Sequence, residues 1–212
     1  MRVLVLANGD LGSLDILRAR CEAWNPALVI GADAGARLAA LLGLELNIVV
    51  GDFDSLQPSQ VPTGVEALRQ PARKDETDLE LALLEAVRRG ARQVAVIGAL
   101  GGRLDMTLAN ILLLAHDALR GVHVELWNDH QTAWILHPPG GHVSGSQGDT
   151  LSLLPIGSEA QGITTYGLEY PLHGETLRVG PARGISNVLT GSEAQIEFEA
   201  GLLLAVHTSG RA

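Results

Sequence analysis

Short apolar runs alternate with longer stretches of helical periodicity over residues 1–127. Val3–Ala7, Leu28–Ala32, Ile48–Gly51, Val94–Gly98 and Val122–Trp127 are nearly continuous in Val, Ile, Leu and Ala. That is the pattern of strands in a parallel sheet covered on both faces. Between them Leu14–Glu22, Ala34–Leu42, Thr77–Arg89 and Arg103–Leu119 are expected as helices. In the third, Leu79, Ala82, Leu83, Ala86 and Val87 recur on one face, and Glu85 and Arg89 are placed to pair on the wet face. In the fourth, Leu104, Leu108, Ile111, Leu112 and Ala115 repeat the pattern. Such alternation implies βαβ units.

After Trp127 helical periodicity disappears, and short segments separated by Gly, Pro and Ser take over. A domain of residues 1–127 followed by one of residues 128–212 is expected. His137–Asp149 has turn or loop chemistry, Thr150–Leu154 is expected as a strand, and the alternating Ala194, Ile196 and Phe198 followed by Leu202–His207 are expected as a hairpin. The second part thus reads as a small β-sandwich or open barrel.

Composition narrows the class. Hydrophobic residues are 46% and charged ones 18%, as in an ordered globular chain. The apolar start breaks off at Asn8, Gly9 and Asp10, too soon for an export signal or a membrane span, and the lone Cys21 reads as a semi-buried thiol in a reducing, cytoplasmic setting. A net charge of −9 argues against nucleic acid as a partner. It suits a nucleotide polyanion only if Mg²⁺ and local cations offset the repulsion between carboxylates and phosphates.

The candidate chemistry sits where strands end. Asp52 and Asp54 directly follow Ile48–Gly51, at the edge where open α/β sheets bind ligands, and loop carboxylates two apart can converge on one hard cation. Asp33, in Gly-Ala-Asp-Ala-Gly, follows Leu28–Ala32, where an N-cap role explains it equally well. In Lys74-Asp75-Glu76-Thr77-Asp78, Thr77 and Glu80 form a capping-box pattern, which leaves Lys74, Asp75 and Asp78 available to a metal or phosphate. After Val94–Gly98, Gly101 and Gly102 allow close backbone approach to a phosphate, Arg103 offers a planar fork, and Asp105 opens the next helix. Asn110 is either a ligand contact or a satisfied buried amide.

Together the blocks Gly-Ala-Asp-Ala-Gly, Gly-Asp-Phe-Asp-Ser, Lys-Asp-Glu-Thr-Asp and Gly-Gly-Arg-Leu-Asp, then Gly-Leu-Glu-Tyr-Pro-Leu and Gly-Ile-Ser-Asn, resemble the thiamine pyrophosphokinase (thiamine diphosphokinase) family over nearly the whole chain. The resemblance implies a Rossmann-like nucleotide-binding catalytic α/β domain and a C-terminal β-sandwich for thiamine binding and dimerisation. It further implies a homodimer with active sites at the subunit interface, and Mg²⁺-dependent transfer of the pyrophosphoryl group of ATP to thiamine, giving thiamine diphosphate and AMP. The family's metal and phosphate residues fall on Asp33, Asp52, Asp54, Asp75 and Asp78. Thr77, Arg103 and Asp105 match its substrate contacts, and Ser186 and Asn187 its thiamine-reaching pair. Ala34 stands where many bacterial relatives have Gly, and Met106 where they have His.

Other readings fit less well. Asp52-Phe53-Asp54 is similar to the Asp-x-Asp of haloacid dehalogenase-like phosphatases, but that family expects Thr where this chain has Leu56. A pterin diphosphokinase would use the same chemistry on another acceptor, and a non-catalytic sensor would not need every acidic block. The seven histidines show no zinc-binding spacing, and Ser55 and Ser186 lack a nucleophile-elbow context.

Overall fold

The computed structural model of the chain describes residues 1–53, 62–71 and 75–211. The sequence candidates Asp54 and Lys74 lie outside the described residues. Contacts divide the chain into two compact units, Met1–Asp129 and His130–Ala212.

In the first unit β1 (Arg2–Leu6), β2 (Leu28–Ala32), β3 (Ile48–Gly51), β4 (Glu66–Arg69), β5 (Gln93–Ile97) and β6 (His123–Trp127) lie in the order β6-β5-β1-β2-β3-β4. All neighbouring pairs are parallel. Leu4, Leu6, Val29, Val49, Ala95 and Ile97 form one core with Leu17 and Cys21 of α1 (Leu14–Trp24) and with Leu38, Ala39 and Leu42 of α2 (Leu38–Leu42). The intervening Val3, Val5, Ile30, Ile48, Val50, Val94 and Val96 are buried too, on the opposite face by strand alternation. There α3 (Asp78–Arg88) packs across β1, β2 and β3, with Leu79, Ala82, Leu83 and Ala86 buried. Burying Leu79 and Leu83 contributes about 2 kcal/mol each. Cys21 is fully buried, and desolvation pushes its thiol up to about 11, which makes it a packing residue.

Several sequence expectations change. The helix expected from Ala34 begins instead as a 3-10 turn, Asp33–Arg37, before α2. The Glu85–Arg89 pair forms at 2.6 Å, but Glu85 is buried rather than on a wet face. Hydrogen bonds from Arg88, joined by those from Arg89, hold its carboxyl below the ordinary value against the opposing effect of burial. β4 is an exposed edge strand with no apolar run to announce it. The fourth helix, α4 (Leu104–Leu113), stops short of Leu119, and a separate 3-10 turn, Asp117–Leu119, follows it. Its expected core face is open, with Leu104, Leu108 and Leu112 at 73%, 52% and 56% exposure. Periodicity reports that a helix has an apolar face; it does not say what covers that face.

In the second unit β7 (Gln131–Leu136), β9 (Thr150–Pro155), β12 (Asn187–Val188) and β14 (Leu203–Thr208) pair antiparallel in the order β12-β9-β14-β7. A separate antiparallel sheet orders β8 (Gly140–Ser144), β10 (Ala160–Tyr166), β11 (Glu175–Leu177) and β13 (Glu193–Glu197) as β11-β10-β13-β8. One core draws from both sheets: Trp134, Leu151, Leu153, Leu203 and Ala205 pack with Val143, Ile163, Ala194 and Ile196. Ala194, Ile196 and Phe198 point inward as their alternation requires. The hairpin expected there does not form. β13 pairs with β8 and β10, whereas β14 pairs with β7 and β9, so the connection between them crosses from one sheet to the other. The His137–Asp149 segment, expected as loop, contains β8, whose Gly-Gly-His-Val-Ser offers one inward side chain, Val143, and therefore little pattern to read.

Candidate active site

β2, β3 and β4 follow β1 on one side, and β5 and β6 lie on its other side. The β1/β5 boundary is therefore a topological switch point, where connections diverge and leave a crevice at the carboxyl ends of the strands. A cavity of about 320 Å³ opens at these ends. Asn8, Gly9 and Asp10 after β1, Asp33 after β2 and the Gly98–Arg103 turn after β5 contribute to its wall. Thr77 and Asp78 at the start of α3, with Met106 and Asn110 of α4, complete it.

Asp33 is buried and has φ +44°. A non-glycine residue adopts this left-handed conformation at a cost of about 1 kcal/mol, a strain that concentrates at functional positions. The N-cap alternative fails, because Ala32 flanks the turn and no side chain caps it. A Cβ on Gly51 would come within 3.0 Å of the Asp33 Cβ, so glycine at the end of β3 is what lets Asp33 lie against that strand, one residue from Asp52. Asp52 itself is half-buried; Phe53, at φ +64°, packs toward the core and stands 5.6 Å from the Arg69 guanidinium.

Thr77 caps α3, its Oγ1 accepting the Glu80 N–H at 3.1 Å, a bond of the kind that contributes about 1 kcal/mol. Asp78 is the first residue of α3 and half-buried, while Asp75 is exposed. Arg103 and Asp105 are both exposed and form a two-bond pair, Nε to Oδ1 at 3.1 Å and Nη2 to Oδ2 at 2.5 Å. The arginine's hydrogen bonds lead in holding the Asp105 carboxyl below its ordinary value, and Asp105 raises Arg103 in turn. Asp105 is thus ionised at neutral pH and a weaker base than a free aspartate. Asn110 is the satisfied buried amide: its Nδ2 donates to the Ala99 carbonyl at 2.7 Å, tying α4 to the turn after β5.

Of the residues singled out in the sequence, Asp33, Thr77, Asp78, Arg103 and Asn110 share the wall of this one cavity, whereas Asp52, Asp75 and Asp105 are not among its described lining residues. Ser186 and Asn187 belong to the second unit. Ser186 is exposed at φ +56°, with its N–H bonded to Ser152 Oγ at 3.0 Å. The Asn187 amide bonds the Tyr170 backbone on both sides, accepting from its N–H at 3.0 Å and donating to its carbonyl at 2.6 Å. Asn8, Gly9 and Asp10, which in the sequence only end an apolar run, also stand on this wall. The rule that singled out Asp33 and Asp52, polar residues directly after a strand, applies to them equally.

Among the described residues no group of three or more His, Cys, Asp or Glu side chains converges as a metal site. Asp33, Asp52 and Asp78 are all carboxylates, a donor chemistry that fits a hard cation such as Mg²⁺.

Residues 21–126 match the family model described as thiamin pyrophosphokinase, catalytic domain, and residues 140–203 match thiamin pyrophosphokinase, vitamin B1 binding domain. The chain belongs to the thiamin pyrophosphokinase family. It is 29% identical over 188 residues to thiamine pyrophosphokinase of Bacillus subtilis (strain 168), covering 86% of this chain and 87% of that protein. It is 26% identical over 174 residues to thiamine pyrophosphokinase 1 of Oryza sativa subsp. japonica, covering 76% of this chain and 65% of the plant protein. Among solved structures, thiamin pyrophosphokinase from Geobacillus thermodenitrificans superposes with a TM-score of 0.82 at 26% identity, over 100% of this chain and 99% of that one. The Bacillus subtilis structure gives 0.86 at 23% identity over 99% of each chain, a likeness of fold.

Proposed function

We propose that this chain is a thiamine diphosphokinase that moves the pyrophosphoryl group of ATP to thiamine, giving thiamine diphosphate and AMP. One observation carries the reading: a chain matched by both the catalytic and the vitamin B1-binding family models has a cavity at the carboxyl ends of its parallel strands. We read residues 1–127 as a Rossmann-like nucleotide-binding domain, which the switch-point strand order supports. Residues 128–212 we read as a β-sandwich that binds thiamine, which the core shared by two antiparallel sheets supports.

In this reading the oxygen of thiamine's primary hydroxyl forms a bond to the β-phosphorus of ATP, in line with the bridge to the α-phosphorus, which breaks to release AMP. Asp52, Asp54, Asp75 and Asp78, with help from Asp33, would hold Mg²⁺, a hard cation that carboxylate oxygens suit. That ion, when bound, screens the charge developing on the phosphates. Lys74, Thr77 and Asn110 would bind the nucleotide, and Arg103 would stabilise the oxygens of the group in transit. Asp105 orients the hydroxyl or takes its proton; its pairing with Arg103 favours the orienting role, in which case the proton passes to water as the new O–P bond forms. Ser186 presents its exposed side chain to thiamine, and Asn187 holds the neighbouring Tyr170 segment in place.

The open apolar face of α4 supports a homodimer with active sites at the subunit interface. The buried lone cysteine suits a cytoplasmic setting, and among the described residues no helix is long and apolar enough to cross a membrane. Incubation with ATP, Mg²⁺ and thiamine, followed by chromatography, should yield AMP and thiamine diphosphate in equal amounts. Binding of both substrates without AMP would turn the reading to a sensor, and a pterin acceptor preferred over thiamine would turn it to a related diphosphokinase.

A further inference from the structure

The turn that carries Arg103 is fastened from the other side of the switch point. Backbone bonding between the β1 and β5 segments continues past the strands: the Gly9 N–H donates to the Gly98 carbonyl at 2.6 Å and the Asp10 N–H to the Leu100 carbonyl at 2.9 Å. The Asp10 side chain extends this seam, Oδ2 accepting the Gly102 N–H at 3.0 Å. On the same turn Thr107 Oγ1 donates to the Gly101 carbonyl at 3.1 Å. Gly101 and Gly102 both have left-handed φ, +83° and +66°. A Cβ on Gly101 would stand 2.3 Å from Asp10 Oδ2, so the turn and the carboxylate are fitted to each other.

We propose that Asp10 is a positioning residue: its carboxylate holds the Gly101-Gly102 turn across the β1/β5 switch point and thereby fixes Arg103 at the cavity. This rests on the diphosphokinase reading above. A second consequence is that the Gly102 N–H, which a glycine turn would otherwise offer to a phosphate, is already engaged. The Gly102 N–H thus serves to place Arg103 rather than to cradle an oxygen. A carboxylate accepts the bond more strongly than a neutral group does, but an amide oxygen of the same reach also accepts it. Geometry, not charge, is therefore what the position requires.

Three variants separate geometry from charge. Asp10→Asn keeps an acceptor at the same reach and removes the charge. Asp10→Glu keeps the charge and moves it one methylene outward into the space closed by Gly101. Asp10→Ala removes both. The expected result is a loss of about tenfold or more in kcat for Asp10→Ala and Asp10→Glu, since small misplacements cost rate steeply, with KM for thiamine little changed and most of the rate restored in Asp10→Asn. Hydrogen–deuterium exchange over residues 98–103 should quicken in Asp10→Ala and Asp10→Glu and stay near wild type in Asp10→Asn. Asp10→Glu outperforming Asp10→Asn would show that the charge itself acts, and would overturn the proposal even if Asp10→Ala failed to fold. Unchanged exchange in Asp10→Glu would overturn it as well. A wild type that forms no AMP would remove the reaction on which the inference rests, and the exchange measurement, which needs no turnover, distinguishes that outcome from a failure of the Asp10 contact.

Discussion

Asp149 is buried among three donors: the Gly210 N–H at 2.7 Å, the Ser146 N–H at 2.8 Å and His207 Nε2 at 3.0 Å. Burial by itself would raise its carboxyl, yet these bonds outweigh it and hold the group below its ordinary 3.8. A carboxyl whose folded value is depressed contributes stability that is fully present above the unfolded value and is lost as pH falls through the folded one. Asp149→Asn, which leaves a donor facing donors, should cost about 1–3 kcal/mol in urea unfolding at neutral pH. The gap to wild type should narrow on the acid side of 3.8; a gap that stays constant there would mean that the charge plays no part. At this same scale the sequence was legible where a residue's role follows from its neighbours in the chain. Thr77 as the cap of α3 needed only the spacing to Glu80. Asn110 and Asn187 were not legible in that way, because their partners, Ala99 and Tyr170, are set by how distant turns are brought together. Asp33 was visible as a strand-end acid, but its left-handed backbone depends on the close approach allowed by Gly51.

Elements buried on both faces were the easiest to read. β2 and β3 begin and end at the residues their apolar runs mark, because a fully covered parallel strand tolerates little else. β4, mostly exposed, and β8, with a single inward side chain, carried no such pattern. The β13–β14 pair shows a different limit: alternation reports a half-buried strand without naming its partner, and only the fold separates the two into different sheets. α4 makes this limit functional. Its leucines at 104, 108 and 112 recur every four residues on one face and stand more than half exposed. Leaving such a half-exposed stripe in water forgoes about 1–2 kcal/mol per leucine, which a second copy of the chain would recover in the proposed homodimer. Leu108→Glu should therefore shift the protein from dimer to monomer in sedimentation equilibrium, with its helix content by circular dichroism retained. A wild type that is monomeric at the same concentration, or a variant that dimerises as tightly, would remove α4 from the interface.

The whole molecule carries a formal charge of −9, and the ionisable residues lining the described cavity are Asp10, Asp33 and Asp78 against Arg103. A nucleotide triphosphate brought to such a wall meets like charge at short range, where solvent screens it incompletely. The proposed Mg²⁺ is then a condition of binding and not only of turnover. Calorimetric titration of ATP should give an affinity at least about tenfold weaker with EDTA than with Mg²⁺, within the usual range of coupling between sites. Coupling of this kind is reciprocal, so a non-hydrolysed ATP analogue should tighten Mg²⁺ binding by the same factor. Added monovalent salt should recover part of the metal-free affinity by screening the carboxylates, whereas it should do little for the metal-loaded complex, whose charges are already paired. Equal affinity with and without the metal would place the nucleotide's phosphates away from this wall.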